Sequence, residues 1–166
     1  MSPSKKHEWL KRLIGRLVEV YTLERGIDIQ SVGATTLKSQ LLEKGLEPDE
    51  SYYVQNETLV RGRDDLDLAV DPPPDLAVEV DLTSSAIDKL GIYASLGVPE
   101  VWTYGDGVVI YHLQTTGQRI VAPRSRALPE LASSDLDRFL RMRGGVSETQ
   151  LVRAFREWVH ERPGTP

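Results

Sequence analysis

The sequence contains no cysteine. Disulfide bonds, thiolate metal sites and cysteine nucleophiles are therefore excluded, and the composition fits a reducing cytoplasm. Long apolar runs are also absent, since no stretch approaches the roughly 20 residues that a membrane-spanning helix needs. The first six residues, MSPSKK, are polar and basic and do not form an apolar signal core. We therefore predict a cytoplasmic protein that makes no membrane contact.

Histidine is scarce, and the three histidines share no metal-ligand spacing. We expect surface or packing roles for His7, His112 and His160. The glycine-rich stretch 105–107 is read as a turn between strands, because no helix follows it that could present a phosphate site.

The charge of the chain is unevenly distributed. The 166 residues carry a net charge of −5 and are predicted to form a single domain, 1–166. Residues 43–81 hold twelve acids and three bases, whereas residues 119–143 hold six arginines and three acids. Residues 1–25 hold six bases and three acids. An acidic centre between basic flanks suits a cation site beside a phosphate-binding surface, and a mixed solvated surface is the alternative.

Helical periodicity marks both ends of the chain. Over residues 5–25 the apolar side chains recur at helical spacing, and Gly26 is a suitable stop. Near the C-terminus, Ser147 and Gln150 form a capping box ahead of a second apolar stripe. We predict a first helix over 5–25 and a last helix over about 147–162.

Strand and loop patterns alternate between these helices. Strands are predicted over 49–54, 75–82, 100–104 and 108–113, with a short strand or its approach over 66–70. Loop is expected over 56–65, and irregular structure or short helix over 123–146. The order predicts an α/β fold in which helices flank a mixed β-sheet.

One more helix is predicted between the second and third of the main strands. It is capped by Ser84 or Ser85 and ends at Gly97. Its apolar face is predicted to hold Ile87, Leu90, Tyr93 and Ala94. The two strands that it joins should be parallel, connected by a right-handed crossover.

Three carboxylates lie along an otherwise apolar strand. Asp75, Glu79 and Asp81 alternate with leucine and valine. Burying an ionised carboxylate without a partner costs several kcal/mol, so this acidic face is either solvated or compensated. A divalent metal is the strongest compensation, and Asp49 would supply a second carboxylate if its strand pairs with that of Glu79. Lys89, in the first turns of the next helix, is close enough to fold back toward the strand end.

The alternative is that these charged residues have no catalytic role. An amphipathic edge strand would leave the three acids in solvent. Lys89 would then pair with Asp88 or another neighbour on an exposed helix face. The spacing alone leaves both interpretations open.

Four stretches together resemble the Uma-two family of bacterial nucleases, which have the restriction-endonuclease-like PD-(D/E)XK fold. They are EPDESYYVQN (47–56), PPPDLAVEVDLTSS (72–85), Lys89 and IYASLGVPEVW (92–102). The resemblance covers roughly residues 5–115. It implies a restriction-endonuclease-like mixed β-sheet flanked by helices.

The resemblance also implies roles for individual residues. Asp49 and Glu79 would bind a divalent metal, and Lys89 would act as the catalytic lysine. In the superfamily pattern the lysine stands two residues after the glutamate, where this sequence has Asp81, so the lysine would have moved to the helix. Asp75 matches a family position as a metal ligand, a supporting acid or a strand-start residue.

Glu19 on the first helix is a further candidate, because helical acids sometimes complete such sites. A solvated helix residue is the alternative.

The resulting functional prediction is a nuclease dependent on Mg²⁺ or Mn²⁺ that hydrolyses phosphodiester bonds in DNA. The alternative is a catalytically inactive nucleic-acid-binding or dimerisation module of the same fold. Under either prediction the chain could form a homodimer. If the acidic face is a metal site, the Lys89 amine should lie within about 5 Å of a carboxylate of Asp75, Glu79 or Asp49.

Overall fold

A computed structural model describes residues 4–39, 44–81 and 86–164. Its helices are α1 (Lys5–Arg25), α2 (Glu57–Val60), α3 (Ala86–Ser95), α4 (Ser133–Leu140) and α5 (Glu148–Glu161). Its strands are β1 (Gln30–Ser31), β2 (Leu37–Ser39), β3 (Lys44–Leu46), β4 (Glu50–Tyr53), β5 (Leu76–Val80), β6 (Glu100–Tyr104), β7 (Val108–Leu113) and β8 (Arg119–Ala122).

The main sheet is mixed, as predicted. Within the described ranges it has six strands in the order β1-β4-β5-β6-β7-β8, and β2 and β3 form a separate hairpin. β5 and β6 are parallel, as the crossover argument predicts, and the other neighbours are antiparallel. β5 is therefore an interior strand, with hydrogen-bonded neighbours on both sides.

Helices cover both faces of this sheet. On one face α1, α4 and α5 pack against apolar side chains that include Leu76, Val78 and Trp102. On the other face α3 and the β2–β3 hairpin pack against Ala77 and Val101. Because successive strand residues point to opposite faces, Glu79 shares the α3 face with Ala77. No helix of the described residues is long and apolar enough to cross a membrane.

The end helices follow the sequence patterns closely. α1 begins after the N-cap Ser4 and ends at Gly26, whose φ of 64° is left-handed and suits glycine. α5 begins after Ser147, which forms the predicted capping box with Gln150. The predicted strands over 100–104 and 108–113 are confirmed by β6 and β7.

Other predictions are wrong. Of the short strand or strand approach predicted over 66–70, the strand is absent: the segment ends in a turn, in which the Val70 amide donates to the Asp67 carbonyl and Val70 is 77% exposed. The 56–65 loop contains the one-turn helix α2, and β8 was not predicted. Ile87 is 46% exposed and so does not belong to the buried face of α3. The proposed caps Ser84 and Ser85 lie outside the described residues.

Candidate active site

Asp49 and Glu79 are brought together by the pairing of β4 with β5. The antiparallel register sets Glu50 opposite Val78, so the preceding residue, Asp49, lies opposite Glu79. The Asp49 amide donates to the Val78 carbonyl at 3.1 Å, and the Val80 amide donates to Asp49 Oδ2 at 2.7 Å. The predicted pairing is confirmed, and the Asp49 carboxylate replaces a backbone acceptor at the end of the ladder.

Glu79 is a buried carboxylate held at both oxygens. Its side chain is 2% exposed. The Lys89 amine donates to Oε2 at 2.7 Å, and the Tyr93 hydroxyl donates to Oε1. The expectation for the Lys89 amine is therefore confirmed, and the alternative of a solvated Glu79 on an edge strand is wrong.

The electrostatics of Glu79 reflect opposing influences. Burial raises the pKa of Glu79 above its ordinary value, and the nearby charge of Asp49 acts in the same direction. Hydrogen bonds from Lys89 and Tyr93 favour the ionised form and oppose the shift without cancelling it. Burial also raises the pKa of Tyr93, so this hydroxyl remains a donor at neutral pH.

Lys89 reaches Glu79 because of its position on α3. Helical side chains lean toward the helix N-terminus, and α3 begins just beyond the end of β5. Tyr93 lies one turn further along the same helix face. Tyr93 was predicted only as part of the apolar face of α3, although its i, i+4 spacing from Lys89 is a signal of a shared partner.

His7 contacts Asp49, although the sequence suggested only a surface or packing role for it. Its Nε2 atom lies 3.2 Å from Asp49 Oδ2, and its Nδ1 atom lies 3.3 Å from a Glu8 oxygen. The Ser4 side chain caps this first turn of α1, since its hydroxyl oxygen accepts a hydrogen bond from the His7 amide. α1 therefore closes one side of the site.

Asp75 does not join Asp49 and Glu79. It is 4% exposed, and its carboxylate accepts the Val54 amide at 2.7 Å. It also accepts the Asn56 amide at 2.9 Å and the Asn56 side-chain nitrogen at 2.7 Å. Asp75 precedes β5, at the other end of the strand from Val80. Its hydrogen bonds hold the segment that follows β4 in place.

Asp81 and Glu19 are also separate from Glu79. The Asp81 amide donates to the Tyr104 carbonyl at 2.9 Å, and its carboxylate accepts the Ala86 amide at the start of α3. Asp81 thus helps to position the helix that carries Lys89. Glu19 is exposed on α1, where its charge raises the pKa of Glu50 together with the larger influence of burial.

The donor set at the site consists of two carboxylates. No group of three or more His, Asp or Glu side chains that could hold a metal ion occurs among residues 4–39, 44–81 and 86–164. Two carboxylates nevertheless fit Mg²⁺, which keeps several waters and commonly binds through one or two carboxylates. The charge of Asp49 raises the pKa of Glu79, and a cation between them would relieve that repulsion.

Comparisons with known proteins agree with this architecture. The family described as "Uma2: Putative restriction endonuclease" matches residues 1–141. A crystal structure from Anabaena variabilis ATCC 29413, described as "a putative nuclease belonging to DUF820", is similar with a TM-score of 0.59 and 12% sequence identity. The similarity covers 93% of this chain and 84% of that chain. It confirms the restriction-endonuclease-like fold. Among curated proteins, nothing matches this chain.

Proposed function

The chain belongs to the Uma2 family, whose description is "Putative restriction endonuclease", and we propose that it is a nuclease dependent on Mg²⁺ or Mn²⁺ that hydrolyses phosphodiester bonds in DNA. One observation carries the proposal. Buried Glu79 is gripped by Lys89 and Tyr93 and lies across the β4–β5 ladder from Asp49. Desolvation of a buried carboxylate costs free energy, so Glu79 does not serve the stability of the fold. A buried acid beside a lysine and a second acid is instead typical of a site for phosphoryl chemistry.

The carboxylates of Asp49 and Glu79 would hold the cation. When bound there, a divalent cation lowers the pKa of water and polarises a phosphoryl oxygen. Tyr93 donates to Glu79 and so favours the ionised, ligating form of this carboxylate. The Val80 amide fixes the orientation of Asp49 in the same way.

Lys89 is the residue best placed to meet the substrate. Its side chain is 35% exposed, whereas its partner Glu79 is 2% exposed, so Lys89 connects the buried carboxylate with the protein surface. From that position it would donate a hydrogen bond to a phosphate oxygen, where it would stabilise the charge that develops as the P–O bond breaks. Lys89, on a helix, would thus have the catalytic role that the superfamily pattern gives to a lysine on the strand.

Cleavage of labelled DNA, with each metal added in turn, tests the proposal. We expect cleavage with Mg²⁺ or Mn²⁺ that stops on addition of EDTA. Asp49→Asn and Glu79→Gln should both abolish it and weaken Mn²⁺ binding in calorimetry. The matched control is Asp64→Asn, because Asp64 is exposed on a loop. Cleavage that survives both site variants would refute the assignment.

The inactive binding module remains a second candidate, since the described residues supply only two close carboxylates. It predicts DNA binding that EDTA leaves unchanged, that weakens steeply with salt, and that never leads to hydrolysis.

A further inference from the structure

A groove opens beside the carboxylate pair, and we name it the β6–β7 groove. Its volume is about 820 Å³. Thr103, Val109 and Tyr111 line it from the sheet, the 105–107 turn closes one end, and Ile87 of α3 borders it. None of the roles assigned above to Asp49, Glu79 or Lys89 uses this groove.

The groove lies next to the carboxylate pair in the sheet. Strand register places Thr103 beside Glu79 and Val109 beside Thr103. Paired residues of neighbouring strands point to the same face, so Asp49, Glu79, Thr103 and Val109 form one row across the sheet. Neighbouring strands are about 4.8 Å apart, so Val109 lies about 10 Å from Glu79. The groove is therefore close enough to the carboxylate pair to take the base of a nucleotide whose phosphate is bound beside Lys89.

The polarity of the groove selects a base over a phosphate. Val109 and Tyr111 present apolar and aromatic surface, and Ile87 adds an exposed apolar side chain. Asp81 and Asp106 also line the groove, and their negative charges disfavour a phosphate there. Planar bases have apolar faces that stack on tyrosine and are uncharged at neutral pH.

The cationic groups lie on the rim, where a phosphate backbone would pass. Lys6 borders the groove, and the next residue, His7, contacts Asp49. The first turn of α1 therefore spans the groove and the carboxylate pair. Lys89 provides the second positive charge at the Glu79 end.

We propose that the β6–β7 groove binds the unstacked nucleobase of the nucleotide next to the scissile phosphodiester, so that the substrate is single-stranded DNA or a frayed end. This rests on the proposed function. A base within a continuous duplex is paired and stacked, and drawing it into a groove costs free energy that a single strand does not require. The groove thus sets a preference among DNA forms without reading their sequence.

Binding without metal tests the groove independently of cleavage. Fluorescence anisotropy in EDTA would compare a labelled single-stranded oligonucleotide with the blunt duplex of the same sequence. We expect the single strand to bind about tenfold more tightly, since the duplex must first unpair and unstack a base. Ile87→Asn should reduce that preference about tenfold, because it removes apolar surface that contacts the base without changing charge.

The matched control is Val70→Asn. Val70 is 77% exposed on the loop before β5, near the opposite end of that strand, so this variant should bind like wild type. Val109→Phe, which fills the groove, should also reduce single-strand binding. Ile87 is exposed, so its variant is expected to fold even if the Val109 variant does not. Equal affinity for the two DNA forms, or Ile87→Asn binding like Val70→Asn, would overturn the proposal.

A small diester separates this proposal from the proposed function. Hydrolysis of bis(p-nitrophenyl) phosphate with Mn²⁺ should require Glu79 and be unaffected by the control variant Val70→Asn. Hydrolysis without a single-strand preference would overturn the base site and leave the nuclease assignment standing. A single-strand preference that depends on Ile87, without diester hydrolysis, would support the base site and count against the nuclease assignment.

Discussion

Lys89 Nζ lies 2.7 Å from Glu79 Oε2, although the two residues are ten positions apart and belong to a helix and a strand. This contact gives the buried acid a counter-charge and leaves the lysine partly exposed toward any substrate. Two roles of the lysine, stabilising the folded site and binding phosphate, are therefore separable by experiment.

Lys89→Met should lower DNA cleavage at least about 100-fold, since loss of one transition-state donor commonly has that effect. Mn²⁺ affinity should change little, because Asp49 and Glu79 remain. Parallel cleavage assays and calorimetry would measure the two effects, with exposed Lys38→Met as the matched control. Loss of metal binding equal to the loss of cleavage would contradict a substrate role for Lys89.

Tyr93→Phe should destabilise the fold by roughly 1–3 kcal/mol, because it removes a hydrogen bond from a buried carboxylate. Tyr53→Phe is the matched control, since its hydroxyl donates to a neutral carbonyl, that of Pro72. Urea denaturation near neutral pH would compare them. We expect the greater loss in Tyr93→Phe, and equal losses in the two variants would show that Tyr93 has no special relation to Glu79.

The stability of the protein should fall as pH rises through the titration of Glu79. The pKa of Glu79 in the folded protein is above the ordinary value of 4.5. The folded state therefore holds this proton more tightly than the unfolded state, and the free energy of unfolding decreases from about pH 4.5 up through the raised pKa. Below 4.5 this destabilising contribution is absent.

Glu79→Gln should remove that contribution, which denaturation curves taken at a series of pH values would reveal as a flatter profile. The exposed control Glu157→Gln should keep the wild-type profile. If the Glu79→Gln profile simply runs parallel to wild type, Glu79 does not titrate as described.

Asp75→Asn should lower stability by about 1–3 kcal/mol without altering Mn²⁺ binding. The carboxylate accepts three hydrogen bonds from Val54 and Asn56, and an amide would present donors toward some of those donors. Thermal denaturation and calorimetry would measure the two properties. If Asp75→Asn left stability unchanged and lowered Mn²⁺ affinity, Asp75 would be a metal ligand and this prediction would be wrong.

Much of this arrangement could be predicted from the sequence because its signals are local. α1 has an uninterrupted apolar stripe and a glycine stop, and both of its ends were predicted correctly. The strand patterns of Asp49 and Glu79 were predicted, whereas their pairing was only a condition that the family resemblance favoured and that the β4–β5 register meets. The reach of Lys89 followed from the direction in which helical side chains lean.

The rest depends on contacts between distant segments. The short exposed strand β8 has little alternation to detect. Glu100 is fully buried and accepts hydrogen bonds from Trp102, two positions away, and from Ser125 and Arg126, some 25 residues further along, and those distant donors could not be predicted from the sequence. His7 and Asp49 meet only because α1 packs across the sheet, which no local pattern reveals.

The hydrogen bond from the Val80 amide to Asp49 Oδ2 makes one backbone proton a reporter of the site. Protonation, displacement or coordination of that oxygen changes the acceptor of the Val80 N–H hydrogen bond. The NMR resonance of a single valine in the chain can therefore follow cation loading of Asp49, even in variants that have lost all cleavage.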